Sequence, residues 1–144
     1  MKNLVIYDSF FGNTKLIAET IGKELGDDTR IIHVSEFKKD MLNGVKLLIV
    51  GSPILGWRPS ENISAFLMSF GKDELKGVNV GTFDTRVKLF FHGDATKKMS
   101  EMLKVLGANV VLDPMCFYVQ GKEGPLFDGE LENAKMWIKT RVSY

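Results

Sequence analysis

The chain begins with an apolar run that leads into a segment with helical spacing. Residues 4–7 are all apolar, and after a short polar stretch apolar residues fall at Ile17, Ile21 and Leu25. A repeat of four residues places these side chains on one face of a helix. Gly26 suits the end of that helix, because glycine readily adopts the conformation that closes a helix. The pattern predicts a buried strand and then a helix that ends near Leu25.

The same alternation continues to the end of the chain. Further apolar runs predict strands at residues 30–34, 45–50, 78–83 and 109–119. The last of these is interrupted by Asp113-Pro114, where a proline suits a bulge or a sheet edge.

Helical spacing recurs in three more segments after the second strand. Residues 35–43 carry few apolar anchors and predict only a brief helix or a loop. The first of the three helices follows a Ser60 cap, and its inward positions are Ile63, Phe66, Leu67 and Phe70. The second ends before Gly107, and its inward positions are Ala95, Met99, Met102, Leu103 and Leu106. The third begins at Asp128 or Gly129, and its inward positions are Leu131, Ala134, Trp137 and Ile138.

Strands that alternate with helices predict the fold class α/β. Their crossover connections are right-handed, which gives a parallel sheet with helices on both faces. Five strands in this sequence fit a doubly wound domain of strand order 2-1-3-4-5, formed by residues 1–144. Ligands of such sheets bind beyond the carboxyl ends of the strands. The polar turns predicted after strands one, three and four all meet at that edge.

Composition and charge are those of a single globular domain. Of the 144 residues 44% are hydrophobic and 26% charged, and 19 basic against 18 acidic residues give a net charge of +1. This balance calls for neither nucleic acid nor an anionic membrane. The first apolar run is too short for a signal peptide, and no run approaches the roughly 20 residues of a spanning helix. The single Cys116 excludes an internal disulfide, and we expect a cytoplasmic monomer.

The polar stretch between the first strand and the first helix predicts a phosphate site. Ser9, Asn13 and Thr14 carry side chains that bind oxygen, and Gly12 lets the chain turn closely. The first N–H groups of a helix lack intrahelical partners and carry the positive end of its dipole, which suits a phosphate. The alternative is that Asn13 or Thr14 only caps the helix. The turn has neither a Walker loop nor dinucleotide-binding glycine spacing, which favours a mononucleotide.

These residues resemble a known phosphate loop. Ser9, Phe10, Phe11, Gly12, Asn13 and Thr14 are similar to the flavodoxin loop, usually Ser/Thr-x-Thr-Gly-x-Thr, which wraps the phosphate of FMN. The resemblance covers nearly the whole chain and implies FMN as the cofactor. Phe11 departs from the pattern, because it stands where the family usually has threonine and so removes one hydroxyl donor. Flavodoxins are usually strongly acidic, so their partner-binding electrostatics are not implied here.

The loop after the third strand resembles the flavodoxin loop that packs on the isoalloxazine ring. From the residues alone, a loop tryptophan such as Trp57 is more often a plug of the core. Its place at the ligand edge and the apolar slot that a flavin needs favour a flavin contact. In flavodoxins a peptide of this loop can turn its carbonyl toward flavin N5, and Gly56 would tolerate both orientations. The resemblance implies flavin contacts from Ser52, Pro53, Ile54, Leu55, Gly56 and Trp57.

The polar residues after the fourth strand resemble the later flavin-binding loop of the family. The resemblance implies that Phe83, Asp84, Thr85 and Arg86 face the pyrimidine edge of the flavin through backbone donors. The alternative is that Asp84 and Arg86 are a solvated turn pair. Further candidates are Phe90 and Phe91, for a ring face or the core, and residues 124–126, for a rim.

Two arginines near the flavin would influence its redox potentials. Reduced FMN is an anion, which the guanidinium groups of Arg58 and Arg86 would stabilise, and residues 51–60 contain no carboxylate. We therefore expect the potential of the second one-electron step to be less negative than in acidic flavodoxins.

Other chemistry finds little support. His33, His92 and Cys116 make no metal-ligand cluster, and no nucleophile elbow is present. The resemblance implies a small FMN-binding electron-transfer protein that serves redox partner proteins. One alternative is a flavodoxin-like FMN-dependent reductase or oxidase of a quinone or porphyrinogen. Another is a flavin-free receiver-type signalling domain, because Asp8 resembles a receiver acid, although the second acid, the phosphoacceptor and the lysine are not in place.

Overall fold

The computed structural model describes residues 2–88 and 95–141. None of the helices within these ranges is long and apolar enough to cross a membrane. The helices are α1 (Asn13–Leu25), α2 (Glu61–Met68), α3 (Ala95–Val105) and α4 (Glu130–Lys139), with 3₁₀ turns at Val34–Glu36 and Lys39–Leu42. The strands are β1 (Asn3–Tyr7), β2 (Thr29–His33), β3 (Leu47–Leu55), β4 (Arg58–Pro59), β5 (Asn79–Val87), β6 (Asn109–Val110) and β7 (Met115–Val119).

The sheet has the predicted strand order. Its strands run β2-β1-β3-β5-β6, and β7 also pairs with β5 in parallel. The order 2-1-3-4-5 is thus confirmed, with the predicted fifth strand divided into β6 and β7 by the segment that contains Asp113-Pro114. Tyr7 lies beside Gly51 and Gly51 beside Phe83, so the carboxyl ends of the three central strands meet at one edge. The short β4 folds back on the end of β3 as an antiparallel hairpin.

Both faces of the sheet are covered, as the continuous apolar runs predict. Along β1, Leu4 and Ile6 pack in the cluster that includes the inward residues of α2 and α3. Val5 and Tyr7 pack in the cluster that includes those of α1 and α4. The alternation follows from the two-residue period of a strand. A residue at the end of a central strand therefore faces either α1 and α4 or α2 and α3, according to its position.

β5 is longer than the sequence pattern predicts. In the structure Asp84, Thr85 and Arg86 are strand residues that pair with β7, so the predicted polar turn is wrong. The strand continues because these polar groups find partners inside the protein, as described below. Two inward helix positions are also wrong, since Met102 of α3 is 38% exposed and Leu131 of α4 is 39% exposed. Both lie at the edge of the apolar stripe of their helix.

The remaining boundaries differ only in detail. Ser60 caps α2 as predicted, because its hydroxyl accepts a hydrogen bond from the N–H of Ile63. Phe70 follows the end of α2 yet stays buried in the core. Phe90, Phe91 and His92 lie outside the described residues, so the roles predicted for them stay predictions.

Candidate functional site

α1 begins beyond the carboxyl end of β1 with free N–H groups. Gly12 is its N-cap, with a φ of 91° that suits glycine, and no side chain caps the helix. The N–H groups of residues 13–15 therefore have no intrahelical acceptor. The hydroxyl of Ser9 accepts a hydrogen bond from the N–H of Gly12 at 3.0 Å and closes the turn. The interpretation of Asn13 or Thr14 as the N-cap is wrong, because both lie inside the helix.

The side chains of Asn13 and Thr14 reach two distant segments. The amide of Asn13 donates to the carbonyl of Glu123 at 3.1 Å. Gly124 lies so close that a Cβ there would stand 2.6 Å from Asn13 Oδ1. The hydroxyl of Thr14 lies 2.8 Å from that of Thr85 in β5, and both residues are buried. The start of α1 is thus joined to β5 and to the loop that follows β7.

A pocket opens beside these contacts. With a volume of about 70 Å³ it would enclose only part of a cofactor, since sites for whole small molecules measure roughly 300–1,000 Å³. Its free N–H groups, hydroxyls and ammonium suit an anion, and the apolar groups next to them suit a flat ring. The polar residues that line it are Ser9, Asn13, Thr14, Thr85 and Lys122, and the apolar ones are Phe10, Phe11, Pro53, Ile54 and Val87.

Asp8 holds the first residue of the turn in place. The residue is 2% exposed, and its Oδ1 accepts hydrogen bonds from the N–H of Ser9 at 2.9 Å and from His33 Nε2 at 3.0 Å. Because the N–H of Ser35 donates to His33 Nδ1, the proton of the neutral ring lies on Nε2. Among the described residues, Asp8 Oδ2 is the buried side-chain atom that lacks a hydrogen-bond partner.

The loop after β3 is a tight hairpin. Gly56 and Trp57 form its two-residue turn, with φ values of 54° and 70°. Two successive positive φ values match the twist of the strands that such a turn connects. Trp57 stands at the tip and is 45% exposed, so its interpretation as a plug of the core is wrong.

The other predicted residues of this hairpin take different places. Ser52 is fully buried, and its hydroxyl accepts a hydrogen bond from the N–H of Ser60 at 2.8 Å, which closes the hairpin. Pro53 and Ile54 are partly buried and line the pocket. Leu55 ends β3.

Asp84 and Arg86 form a buried ion pair on the α3 face of the sheet. They share that face with Thr82, whose hydroxyl donates to the carbonyl of Thr96 in α3. Arg86 Nε donates to Asp84 Oδ1 at 2.9 Å, and Nη2 contacts Oδ2. Burial alone would lower the pKa of Arg86, but the hydrogen bonds and charge of Asp84 outweigh it and raise that pKa. Burial, helped by the charge of Asp84, also raises the pKa of Cys116 to about 11. The solvated-pair interpretation is wrong.

Phe83 belongs to the core on the opposite face. Its ring is fully buried and packs edge-on against Phe117 and Trp137. A Cβ on Gly51, its neighbour in β3, would stand 2.0 Å from this ring. A flavin contact of Phe83 would therefore have to come from its backbone.

The structure brings the phosphate-loop side chains together with Pro53, Ile54 and Thr85, whereas the side chains of Ser52, Phe83, Asp84 and Arg86 do not line the pocket. Sequence reasoning missed Val87 and Lys122. Val87 lies two residues after Thr85, so it shares that face once the full length of β5 is known. Lys122 gives no local signal, because its loop meets α1 across a sequence separation of 110 residues. The predicted rim at 124–126 does begin against α1.

Comparisons with known proteins agree with the fold described above. A flavodoxin from the domain Archaea is 22% identical, with 96% of this chain and 94% of that chain covered and a TM-score of 0.74. Oxidised flavodoxin 2 from Bacillus cereus is 19% identical, with 97% of each chain covered and a TM-score of 0.82. A WrbA-like flavodoxin protein from Agrobacterium tumefaciens is 20% identical, with 94% and 91% covered and a TM-score of 0.72. At these identities the structures show the fold.

No curated protein matches the sequence significantly. A family model described as a flavodoxin domain does match, and it covers residues 4–132, from β1 into α4. The match includes the turn at the start of α1, the hairpin after β3 and the whole of β5. The chain belongs to the flavodoxin-domain family.

Proposed function

We propose that this chain binds FMN and carries electrons between partner oxidoreductases. The observation that supports it is the pocket at the start of α1, where free N–H groups and hydroxyls lie beside exposed aromatic rings. A phosphate needs the first set of groups, and a flat apolar ring needs the second. Phe10, Phe11 and Trp57 are 49%, 47% and 45% exposed, as expected of side chains that a ligand covers.

The residues present fit FMN in a definite arrangement. Its phosphate would bind the N–H groups of residues 13–15 and the hydroxyl of Ser9. Its ring would lie against Pro53 and Ile54, which line the pocket, and Trp57 of the same hairpin would cover it. Bound FMN would supply one-electron and two-electron transfer. None of the residues lining the pocket carries a carboxylate or an imidazole, so the described chain would orient the flavin and set its potentials.

Of the predicted flavin contacts, that of Gly56 is kept and those of β5 change in this arrangement. Gly56 keeps its proposed role of offering a peptide carbonyl to flavin N5, because it is exposed at the hairpin turn. Phe83, Asp84 and Thr85 are all paired with strands on both sides, which engages their backbone in the sheet. Of these three residues Thr85 alone lines the pocket, so we keep it as the β5 residue that faces the cofactor through its side chain.

The first test is the visible spectrum of the purified protein, followed by addition of FMN to any colourless fraction. Yellow colour, or stoichiometric quenching of FMN fluorescence, is the expected result. A colourless protein that leaves FMN fluorescence unchanged would contradict the proposal.

A matched pair of variants makes the test specific to the pocket. Gly12→Ala and Gly26→Ala introduce a Cβ at φ values of 91° and 98°, and neither Cβ would meet an atom within 4 Å. The backbone strain is therefore matched, while only Gly12 lies in the turn whose neighbouring residues line the pocket. FMN affinity should fall clearly in Gly12→Ala and remain near wild type in Gly26→Ala. Equal losses would remove the support for a phosphate at this turn.

A carrier and a reductase differ in their need for a partner. The FMN-loaded carrier should pass electrons to a one-electron acceptor protein after reduction, and it should not turn over NAD(P)H with a quinone or porphyrinogen by itself. Steady turnover without a partner would favour the reductase or oxidase. A monomer in the cytoplasm is part of the same proposal; the single cysteine, which leaves no internal disulfide, supports the reducing compartment.

A further inference from the structure

Two polar residues outside the loop at 9–14 line the same pocket. They are Thr85 of β5 and Lys122 of the loop after β7. Thr85 is 6% exposed, whereas Lys122 is exposed. Each comes from a segment that contacts the start of α1, so each is held beside the free N–H groups of the helix.

The hydroxyls of Thr14 and Thr85 have one hydrogen to spare. They lie 2.8 Å apart, so one donates and the other accepts. The accepting hydroxyl keeps its own hydrogen for another acceptor, and no second acceptor is recorded for either group in the described part of the chain. A phosphate oxygen in the pocket would receive that hydrogen bond. This hydrogen bond would replace the one that the loop lacks because Phe11 stands where the family usually has threonine.

Lys122 is positioned by the backbone around it. The loop is closed by hydrogen bonds from Gly124 N–H to the carbonyl of Gly121 at 2.9 Å and from Gln120 N–H to that of Pro125 at 2.8 Å. The loop is pinned to α1 by the bond from Asn13 to the Glu123 carbonyl. Within residues 2–88 and 95–141 no ion pair of the Lys122 ammonium is recorded.

We propose that Thr85 and Lys122 complete the phosphate site from outside the loop, and that Lys122 makes it select a phosphate monoester dianion. A monoester with a second pKa near 6 is mostly doubly charged at neutral pH (about −1.5 to −2), which an ammonium at the pocket stabilises. The inference rests on the proposed binding of FMN. The inference predicts that the charge of Lys122, and not only the hydroxyls and N–H groups, makes the protein bind FMN more tightly than riboflavin, its dephosphorylated form.

The test of Lys122 is the affinity of flavin-free protein for FMN and for riboflavin, measured by fluorescence quenching. Lys122→Gln should weaken FMN binding about fivefold, the upper range for an exposed ion pair, and should change riboflavin binding less than twofold. Lys122→Arg should keep the wild-type preference. Lys104→Gln, which removes a charge from the last turn of α3, is the matched control and should change neither affinity. The effect of Lys122→Gln should shrink at high salt.

The test of Thr85 uses hydroxyl replacement. Thr85→Val should weaken FMN binding more than riboflavin binding, and Thr85→Ser should restore the wild-type value. In the Thr85→Val background, Phe11→Thr returns a hydroxyl to the loop and should recover part of the loss. Circular dichroism of each variant checks that it is folded, and Thr85→Ala, which also removes the hydroxyl, carries the test if the valine variant is not.

The outcomes separate this inference from the proposed function. If wild type binds FMN and riboflavin equally, or Lys122→Gln behaves like Lys104→Gln, the inference fails while FMN binding stands. If wild type binds neither flavin, the proposed function fails with it. An FMN-specific loss in Lys122→Gln with rescue by arginine would support both.

Discussion

Trp57 holds a backbone conformation that bulky residues seldom adopt. Its φ is 70°, and it is 45% exposed, so little burial offsets the strain. A residue held in this region costs about 1–3 kcal/mol and persists where the surroundings or a function require it. The indole stands at the tip of the hairpin whose residue Ile54 lines the pocket. Contact between the indole and the flavin ring of bound FMN is the function that would explain why this strained conformation is kept.

Trp57→Gly should separate stability from binding. In the flavin-free protein it should leave the free energy of unfolding unchanged or raise it by up to about 1 kcal/mol, because glycine adopts positive φ without strain. FMN affinity should fall about tenfold, because the aromatic contact is lost. Urea denaturation and FMN quenching measure the two effects. Trp57→Phe is the control, because it keeps both the strained backbone and an aromatic ring. A clear loss of stability in Trp57→Gly would show instead that the indole belongs to the core.

Cys116 should be a slow nucleophile. Its pKa is raised to about 11, so at pH 8 only about one thiol in a thousand is the reactive thiolate. Alkylation by iodoacetamide at pH 8 should be more than tenfold slower than that of an ordinary thiol with a pKa of about 8.5. The rate should rise steeply as the pH approaches 11 and should become ordinary in urea. Rapid alkylation of the folded protein at pH 8 would show that the thiol is not buried beside Asp84.

At the scale of elements, β5 is where the sequence pattern misleads. An apolar run followed by Asp-Thr-Arg is typical of a strand that ends in a turn. Here the charges neutralise each other and β7 supplies pairing partners, but Asp84 and its neighbour Cys116 are 32 residues apart in the chain. Local spacing cannot show such a partner. By contrast, α1 ends at Leu25 as predicted, because its apolar spacing and Gly26 carry the information locally.

Arg86→Gln should destabilise the protein strongly. The substitution removes the guanidinium that pairs with the buried carboxylate of Asp84, and breaking a buried ion pair typically costs about 3–5 kcal/mol. Urea denaturation at neutral pH measures the change in the free energy of unfolding. The double variant Asp84→Asn/Arg86→Gln removes both charges and should recover part of the loss. A cost for Arg86→Gln below about 1 kcal/mol would mean that the pair is hydrated and matters little.

At the scale of the whole molecule, the sheet order and the ligand edge could be predicted because they depend on long apolar runs and on connection rules. The turn at residues 9–14 could also be predicted, since its residues are contiguous. Only some of the residues that line the pocket could be predicted from the sequence. Thr85 required the true length of β5, and Lys122 required a contact between the two ends of the chain. Both depend on tertiary packing, which composition and spacing do not encode.

The balanced charge of the molecule should raise its second reduction potential relative to acidic flavodoxins. Arg86 cannot contribute as the sequence suggested, because Asp84 neutralises it. Arg58 is exposed on β4, in the hairpin that we propose to face the flavin. Arg58→Gln should therefore make the potential of the second one-electron step more negative by a few tens of millivolts, because a cation that stabilises the reduced anion is lost. Potentiometric titration of the FMN-loaded protein measures it, and an equal shift in Lys104→Gln would assign the effect to net charge alone.

The alternation along β5 has a consequence for how the chain reaches its native state. The side chain of Thr85 lies on the face of the sheet that α1 covers, whereas those of Asp84 and Arg86 lie on the face that α3 covers. A slip of β5 by one residue against its neighbours would exchange these faces, driving two charges into the apolar layer around Phe83 and removing Thr85 from Thr14. Misregistered chains would thus be penalised in stability and in cofactor capture at once. Under the proposed binding of FMN, flavin uptake from added FMN would report on the register of β5, because misregistered molecules would stay colourless.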